Sequence, residues 1–299
     1  MPSYTFFYKR GLVMKETKNT YSYEDTDFFK HFPKRIEDSH KGMYGKVGII
    51  AGSKGMAGAA FLCARAAYAV GAGLVQIYTH EDNRIILQQL LPEAIVVTYR
   101  KFDKKQLMQF VKSSDVLVIG CGMGQEKPSL QCVRYALQNA KCPCVLDADA
   151  LNMIAKDFTL IENKMQPLIL TPHMKEMARL LDCSMEELKS HSLEYLKAFA
   201  EKYHLTCVLK DAKTLIYSEG SGMYLNQTGN SAMSKGGSGD VLAGIIGGIL
   251  AQHTKPHEAA CLGVYLHGKS GDIARERLGA YSVMARDLIA DIGEVLKQI

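Results

Sequence analysis

From residue 46 onward, short runs of consecutive apolar residues, many of them β-branched, alternate with longer stretches patterned at helical period. That alternation constrains the fold more than any other feature, because it is the signature of a parallel sheet covered by helices on both faces. Strands are predicted at 47–51, 74–78, 116–119, 144–146, 168–170 and 206–209, and several are apolar at successive positions, as a strand buried on both faces requires. Helical patterns occupy 57–70, 129–140, 173–181 and 193–202. Two runs at 214–217 and 223–225, separated by a turn containing Gly220 and Gly222, predict a β-hairpin on the sheet edge, and helices follow over 239–252, 257–278 and 283–297. The expected class is therefore α/β, a doubly wound, mostly parallel sheet flanked by helices, with a short edge hairpin.

The 299 residues fit one such unit, expected over 31–299, preceded by a loosely ordered extension over 1–30 in which Met14 is an alternative start to Met1. Apolar residues make up 47% of the chain and charged residues 22%, enough for a large core and unlike a disordered chain. The net charge of +5 is scattered rather than striped, which argues against a nucleic-acid surface while suiting an anionic substrate. Eight cysteines lie in apolar runs with no Cys-x-x-Cys, which predicts free thiols in a reducing cytoplasm. No apolar stretch reaches the roughly 18 to 20 residues that a membrane span needs, and residues 1–19 lack the apolar stretch of a signal peptide.

Most predicted strands end in a Gly-rich or polar turn, and ligands of open α/β sheets bind beyond the carboxyl ends of the strands. The strongest motif runs from Gly229 to Asp240 and ends Lys235, Gly236, Gly237, Ser238, Gly239, Asp240, leading directly into an apolar helix. Its glycines let backbone amides approach a phosphate, and the helix adds the positive end of its dipole. Asp240 is then either a base for a substrate hydroxyl or a helix-capping residue. Gly120, Gly122 and Gly124 form a second turn after 116–119, and Gly52, Gly55 and Gly58 a third; each alone reads equally well as a tight turn. Asp147 and Asp149 end the strand at 144–146 and can hold magnesium through water or act as bases, while Asp149 can equally cap the next helix. Thr171 and His173 open the helix at 173–181, with His173 the better candidate for a substrate contact. Lys210, Asp211, Ala212, Lys213 and Thr214 join strand 206–209 to the hairpin, as a phosphate or ribose contact or as a solvated turn.

Taken in order, these segments resemble the NAD(P)H-hydrate dehydratase family, the carbohydrate-kinase-like domain of the nicotinamide-nucleotide repair proteins. The resemblance runs from Ser39 to Asp287 and rests on the stretches 51–59, 91–93, 120–124, 146–149, 170–176, 236–240 and 263–268. It implies a ribokinase-like fold and an enzyme, a hydro-lyase, that returns hydrated NADH or NADPH to the reduced dinucleotide. The hydrate's hydroxyl is phosphorylated and phosphate then leaves, with ADP the expected donor, giving AMP and phosphate, or else ATP. It further implies Mg2+, since adjacent phosphates repel each other without a cation. Asp240 becomes the base, Ala59, Gly122 and His173 contact the hydrated dinucleotide, and the amides of Gly236, Gly237, Ser238 and Gly239 steady the phosphate. Lys210, Asp211, Ala212, Lys213, Thr214 and Gly239 hold the adenine nucleotide. Two departures stand out: Asp211 follows Lys210 where the family commonly has glycine, and Cys121 replaces the usual proline of its turn. An epimerase is expected as a separate chain and a homotetramer as the assembly. The rival readings are a ribokinase-like kinase of a small alcohol, such as a thiamine precursor, and a non-catalytic nucleotide sensor.

Overall fold

A computed structural model describes residues 20–162 and 164–299 of the chain. Ten strands form one sheet: β1 (Thr20–Tyr21), β2 (Lys46–Ile50), β3 (Leu74–His80), β4 (Ile95–Tyr99), β5 (Val116–Ile119), β6 (Cys144–Leu146), β7 (Leu168–Leu170), β8 (Thr206–Leu209), β9 (Leu215–Ser218) and β10 (Gly222–Leu225). Their order across the sheet is β1-β10-β9-β8-β7-β6-β5-β2-β3-β4. From β8 to β4 every pair is parallel, whereas β9 runs antiparallel to β8 and β10 antiparallel to β9.

Alternation within the strands explains the two helix layers. Val116 and Val118 point into one apolar core, built with the helices Ala57–Ala69, Ser238–Leu250, Pro256–Ser282 and Ala285–Leu296. Leu117 and Ile119 point into the other, built with Lys104–Lys112, Lys127–Asn139, Asp149–Lys156, Met174–Leu181 and Ser192–Lys202. Both faces of β5 to β8 are buried, which is why those strands carry apolar residues in succession. The expected doubly wound α/β fold is the one observed.

Two expectations are corrected at the amino-terminal end. Residues 20–30 belong to ordered structure: β1 pairs in parallel with β10, Thr20 opposite Met223, and the helix Asp25–His31 buries Phe28 completely against Tyr265, with stacked rings 5.0 Å apart. The hairpin is accordingly not the sheet edge, because β1 covers it. Met1, Met14 and the rest of the proposed extension lie outside the described residues. All eight cysteines are free, and no described helix is long and apolar enough to cross a membrane.

Candidate active site

The chain runs β2-β3-β4 in one direction across the sheet and then returns to place β5 on the other side of β2. At this reversal the turns after β2 and β5 separate in opposite directions and leave a crevice. They are tied together at its floor: Gly52 N donates to Cys121 O at 2.9 Å and Ser53 N to Gly122 O at 2.7 Å. Gly122 has φ of +59°, and a Cβ on it would stand 2.7 Å from the Cβ of Ala59, so Gly122 and Ala59 form one close-packed wall. Asp149 stands on the first turn of its helix and is not the cap; its Oδ2 accepts from Gly124 N at 2.8 Å and pins the turn after β5. The helix Asp149–Lys156 starts with Ala148 as its cap, at φ 51° and ψ −115°, a strained conformation for a residue with a side chain.

Asp147 ends β6 with only 2% of its surface exposed. Its Oδ1 accepts from Thr171 Oγ1, at the end of β7, and from Lys210 Nζ, just past β8, both at 2.7 Å. Neighbouring strands are ~4.8 Å apart, so a group reaching from beyond β8 to β6 must cross about two spacings, which a lysine side chain does and a shorter one does not. Lys210 is fixed at its backbone by donation to Pro172 O at 2.8 Å and by a parallel bridge to His173. Burial alone would draw down the Lys210 ammonium's proton affinity, but the Asp147 and Glu176 carboxylates outweigh it and hold the pKa above the ordinary value.

His173 caps the helix Met174–Leu181. Its Nδ1 accepts from Lys175 N and Glu176 N at 3.1 Å each, while Glu176 Oε2 accepts from His173 N at 2.9 Å. The tautomer is thereby fixed, with the proton on Nε2, which lies 3.5 Å from Glu176 Oε1. Burial, and then the Lys210 charge, hold His173 below the usual imidazole range, so it stays neutral; burial pushes the carboxyl of Glu176 up.

Opposite these strand ends begins the helix Ser238–Leu250, whose cap is Gly237 rather than Asp240. Gly237 has φ of +92°, and a Cβ there would meet Leu62 Cδ1 at 2.5 Å, so a side chain is strained at this position. Gly236 has no atom within 4 Å of the corresponding position and opens toward solvent, whereas a Cβ on Gly239 would stand 3.4 Å from Lys210 Nζ and 3.7 Å from Asp147 Oδ2. Ser238 Oγ lies 3.2 Å from His267 Nε2, and burial drives the His267 pKa down to about 4. The run is thus a set of helix-start amides open on one side and closed on the other by the Asp147–Lys210 pair.

Asp240 stands at the third helical position, within this closed side. Ligand atoms of Cys121, Asp147 and Asp240 all lie within 4.8 Å of one another. Burial, and next the charge of Asp147, push the Asp240 carboxyl up to about 6, with the Cys121 thiol and Lys210 acting the other way. A carboxylate so tuned sits near the range in which a group both holds and releases a proton at neutral pH.

The remaining candidates lie farther out. Asp211, Ala212 and Lys213 are exposed on the turn after β8; Lys213 Nζ donates to Gln227 O at 3.0 Å and Thr214 Oγ1 to Asp211 O at 3.4 Å, while the Lys210 side chain turns inward, away from them. Cys121 and Glu176 were not among the expected functional residues. Each could have been found by its neighbours: Cys121 stands inside the Gly-rich turn, and Glu176 stands three residues after a helix-start His173, the spacing of a capping box.

Comparison with known proteins follows the same lines. The sequence profile described as NAD(P)H-hydrate dehydratase matches residues 47–294. The bifunctional NAD(P)H-hydrate repair enzyme of Moorella thermoacetica is 38% identical over 89% of this chain and 52% of its own, so the chain spans about half the length of such relatives. The ADP-dependent (S)-NAD(P)H-hydrate dehydratase of Bacillus subtilis is 35% identical over 89% of this chain and 94% of its own. A crystal structure of the ADP/ATP-dependent enzyme from that organism, grown with ATP and Mg2+, superposes with a TM-score of 0.82 at 30% identity, covering 95% of this chain and 99% of that one. A ribokinase-like protein of Enterococcus faecalis superposes at 0.85 with 28% identity, over 96% and 99%. The chain has the ribokinase-like fold and belongs to the NAD(P)H-hydrate dehydratase family.

Proposed function

We propose that this protein returns hydrated NADH and NADPH to the reduced dinucleotide at the expense of an adenine nucleotide, ADP by preference. The observation that carries the reading is the place of Asp240, on the first turn of an amide-lined helix start, where burial first and the Asp147 charge next lift its pKa to about 6. Asp240 accepts the proton of the hydrate's hydroxyl as that oxygen takes the terminal phosphoryl group of the nucleotide, forming an O–P bond while the bond to the departing nucleotide breaks. The helix-start amides at Gly236, Gly237, Ser238 and Gly239 stabilise the charge on the transferring group. Phosphate then leaves with the electrons of its C–O bond, a far better leaving group than hydroxide. The adjacent ring carbon gives up a proton, and the double bond is restored.

Ala59, Gly122 and His173 line the crevice wall where the hydrated ring would lie, the neutral His173 offering its Nε2–H to a polar group of the dinucleotide. Lys213 and Thr214, with the backbone of Asp211 and Ala212, form an outer ledge for the adenine nucleotide. Their exposure suits a co-substrate that enters and leaves. The Cys121, Asp147 and Asp240 cluster does not fit a magnesium centre. Magnesium takes oxygen ligands, whereas one donor here is a thiol that its neighbour Cys63, and then burial, keep protonated, and one oxygen of Asp147 is already committed to Lys210 and Thr171. Magnesium would instead be held by the nucleotide's own phosphates, whose mutual repulsion it would offset. Eight free thiols suit a reducing compartment such as the cytoplasm, an epimerase is the natural partner activity, and a homotetramer is the assembly expected from the family resemblance.

The test mixes the protein with hydrated NADH, magnesium and either ADP or ATP, and follows the reduced-nicotinamide absorbance. Recovery dependent on a nucleotide, faster with ADP, is the expected result. No recovery with either, alongside phosphorylation of a small alcohol, would replace the reading with that of a kinase.

A further inference from the structure

Two carboxylates within 4.8 Å of each other and largely out of water are a costly arrangement, because like charges in a low-dielectric site repel strongly. Enzymes of phosphoryl transfer commonly relieve that cost with a bound metal ion, yet this acid pocket lacks a suitable donor set. It contains an ammonium instead. Lys210 Nζ lies 2.7 Å from Asp147 Oδ1 with four-fifths of its side chain out of water, and a methyl group on Gly239 would come within 3.4 Å of it. The groups that feel its charge come from every element that closes the pocket: Cys121 after β5, Asp147 after β6, His173 and Glu176 after β7, Asp240 on the cradle helix, and His267 behind Ser238, while Asp149 acts on Asp240. Of these, Asp147, Glu176 and Asp240 are acids, and Lys210 is the cation among them, bonded to Asp147.

We infer that Lys210 is a resident counter-cation of the acid pocket, occupying the place of a metal ion and holding Asp147 by one oxygen so that Asp240 remains available as the base. This deepens the reading of the site given above and assigns Lys210 a positioning role rather than a nucleotide contact. Thr171 shares the same oxygen of Asp147 and leaves Oδ2 directed toward the cradle, where it faces Asp240. The lysine therefore fixes both the geometry and the charge of the pair. A metal ion at this place would have to be acquired with each turnover or retained against solvent, whereas the ammonium is always present.

The experiment needs no turnover, so its outcome is separable from that of the hydrate assay. Nucleotide-free protein is compared at pH 8 by infrared difference spectroscopy of protonated carboxyl groups in the wild type, Lys210→Met, Asp147→Asn and the double variant Lys210→Met/Asp147→Asn. Lys210→Met is expected to gain about one protonated carboxyl per chain, since two uncompensated acids share a proton. The double variant is expected to lose that band again. Removing both members of a buried ion pair is tolerated better than removing one, and Asp147→Asn keeps the side chain's volume and an acceptor oxygen for Lys210 and Thr171, so these two variants still decide the matter should Lys210→Met fail to fold. With the ammonium left facing it alone, Asp240 titrates lower in Asp147→Asn than in the double variant. Equal titration in those two variants, or a folded Lys210→Met without the extra band, would overturn the inference. So would calorimetric binding of magnesium chloride to the nucleotide-free wild type that disappears in Asp147→Asn.

Discussion

Asp147 and Asp240 face each other across less than 4.8 Å, yet Lys210 bonds only to the first. The second carries the penalty, and its pKa rises to about 6, by burial first and by the Asp147 charge next. Because the folded-state pKa lies above the unfolded one, Asp240 favours the fold below the unfolded pKa, and that contribution is lost as pH rises through the folded value. Asp240→Asn is therefore expected to raise stability near pH 7 by about 1–3 kcal/mol, an order-of-magnitude figure from the two-unit shift, with the gain vanishing below about pH 4. Chemical denaturation of both proteins at the two pH values checks it.

Catalysis shows the same group from the other side. If Asp240 takes the proton, the rate should fall about tenfold per unit below its pKa of about 6 and level off above it. The pH profile of kcat/KM for hydrated NADH tests this, and a flat profile from pH 5 to 7 would exclude Asp240 as the base.

The cradle glycines separate by what surrounds them. Alanine at 237 must adopt φ of +92° and place a methyl 2.5 Å from Leu62, so Gly237→Ala should cost about 1–3 kcal/mol of stability. Alanine at 239 makes ordinary contacts, 3.4 Å from Lys210 Nζ and 3.7 Å from Asp147, so the fold should stay intact while the methyl fills space that the proposed cradle leaves to a phosphate oxygen. Gly239→Ala should melt within a few degrees of the wild type and lose nucleotide affinity at least tenfold; a tight-binding Gly239→Ala would move the phosphate elsewhere.

Much of this was readable in the sequence, for a definite reason. Strands such as β5 are buried on both faces, and only consecutive apolar residues such as Val116 to Ile119 satisfy two cores at once. β4 escaped because Ile95 and its neighbours are half exposed at a true sheet edge, and β1 because two residues carry no period. Within the site, Gly237, Gly239 and Asp240 stand together in sequence and could be seen as a unit. The Lys210–Asp147 bond joins residues 63 positions apart, and it exists only because β7 separates β6 from β8 by one strand; nothing local in the sequence signals it.

The same is true of the amino-terminal helix. Phe28 is fully buried against Tyr265, and Tyr21 Oη lies 2.7 Å from His257 Nε2 in the long helix Pro256–Ser282. Phe28→Ala should therefore cost roughly 3–5 kcal/mol, as for other buried phenylalanines. A loss below ~1 kcal/mol in urea denaturation would return residues 20–30 to the status of a loosely ordered extension.

The central claim is that Asp240 receives a proton while the cradle holds the phosphoryl group. Single-turnover recovery of reduced-nicotinamide absorbance, with hydrated NADH, ADP and magnesium, tests it directly in the wild type and in Asp240→Asn. Binding of ADP should be equal in the two, with recovery slowed on the order of 10²–10⁴-fold in the variant; recovery at the wild-type rate by Asp240→Asn would contradict the claim.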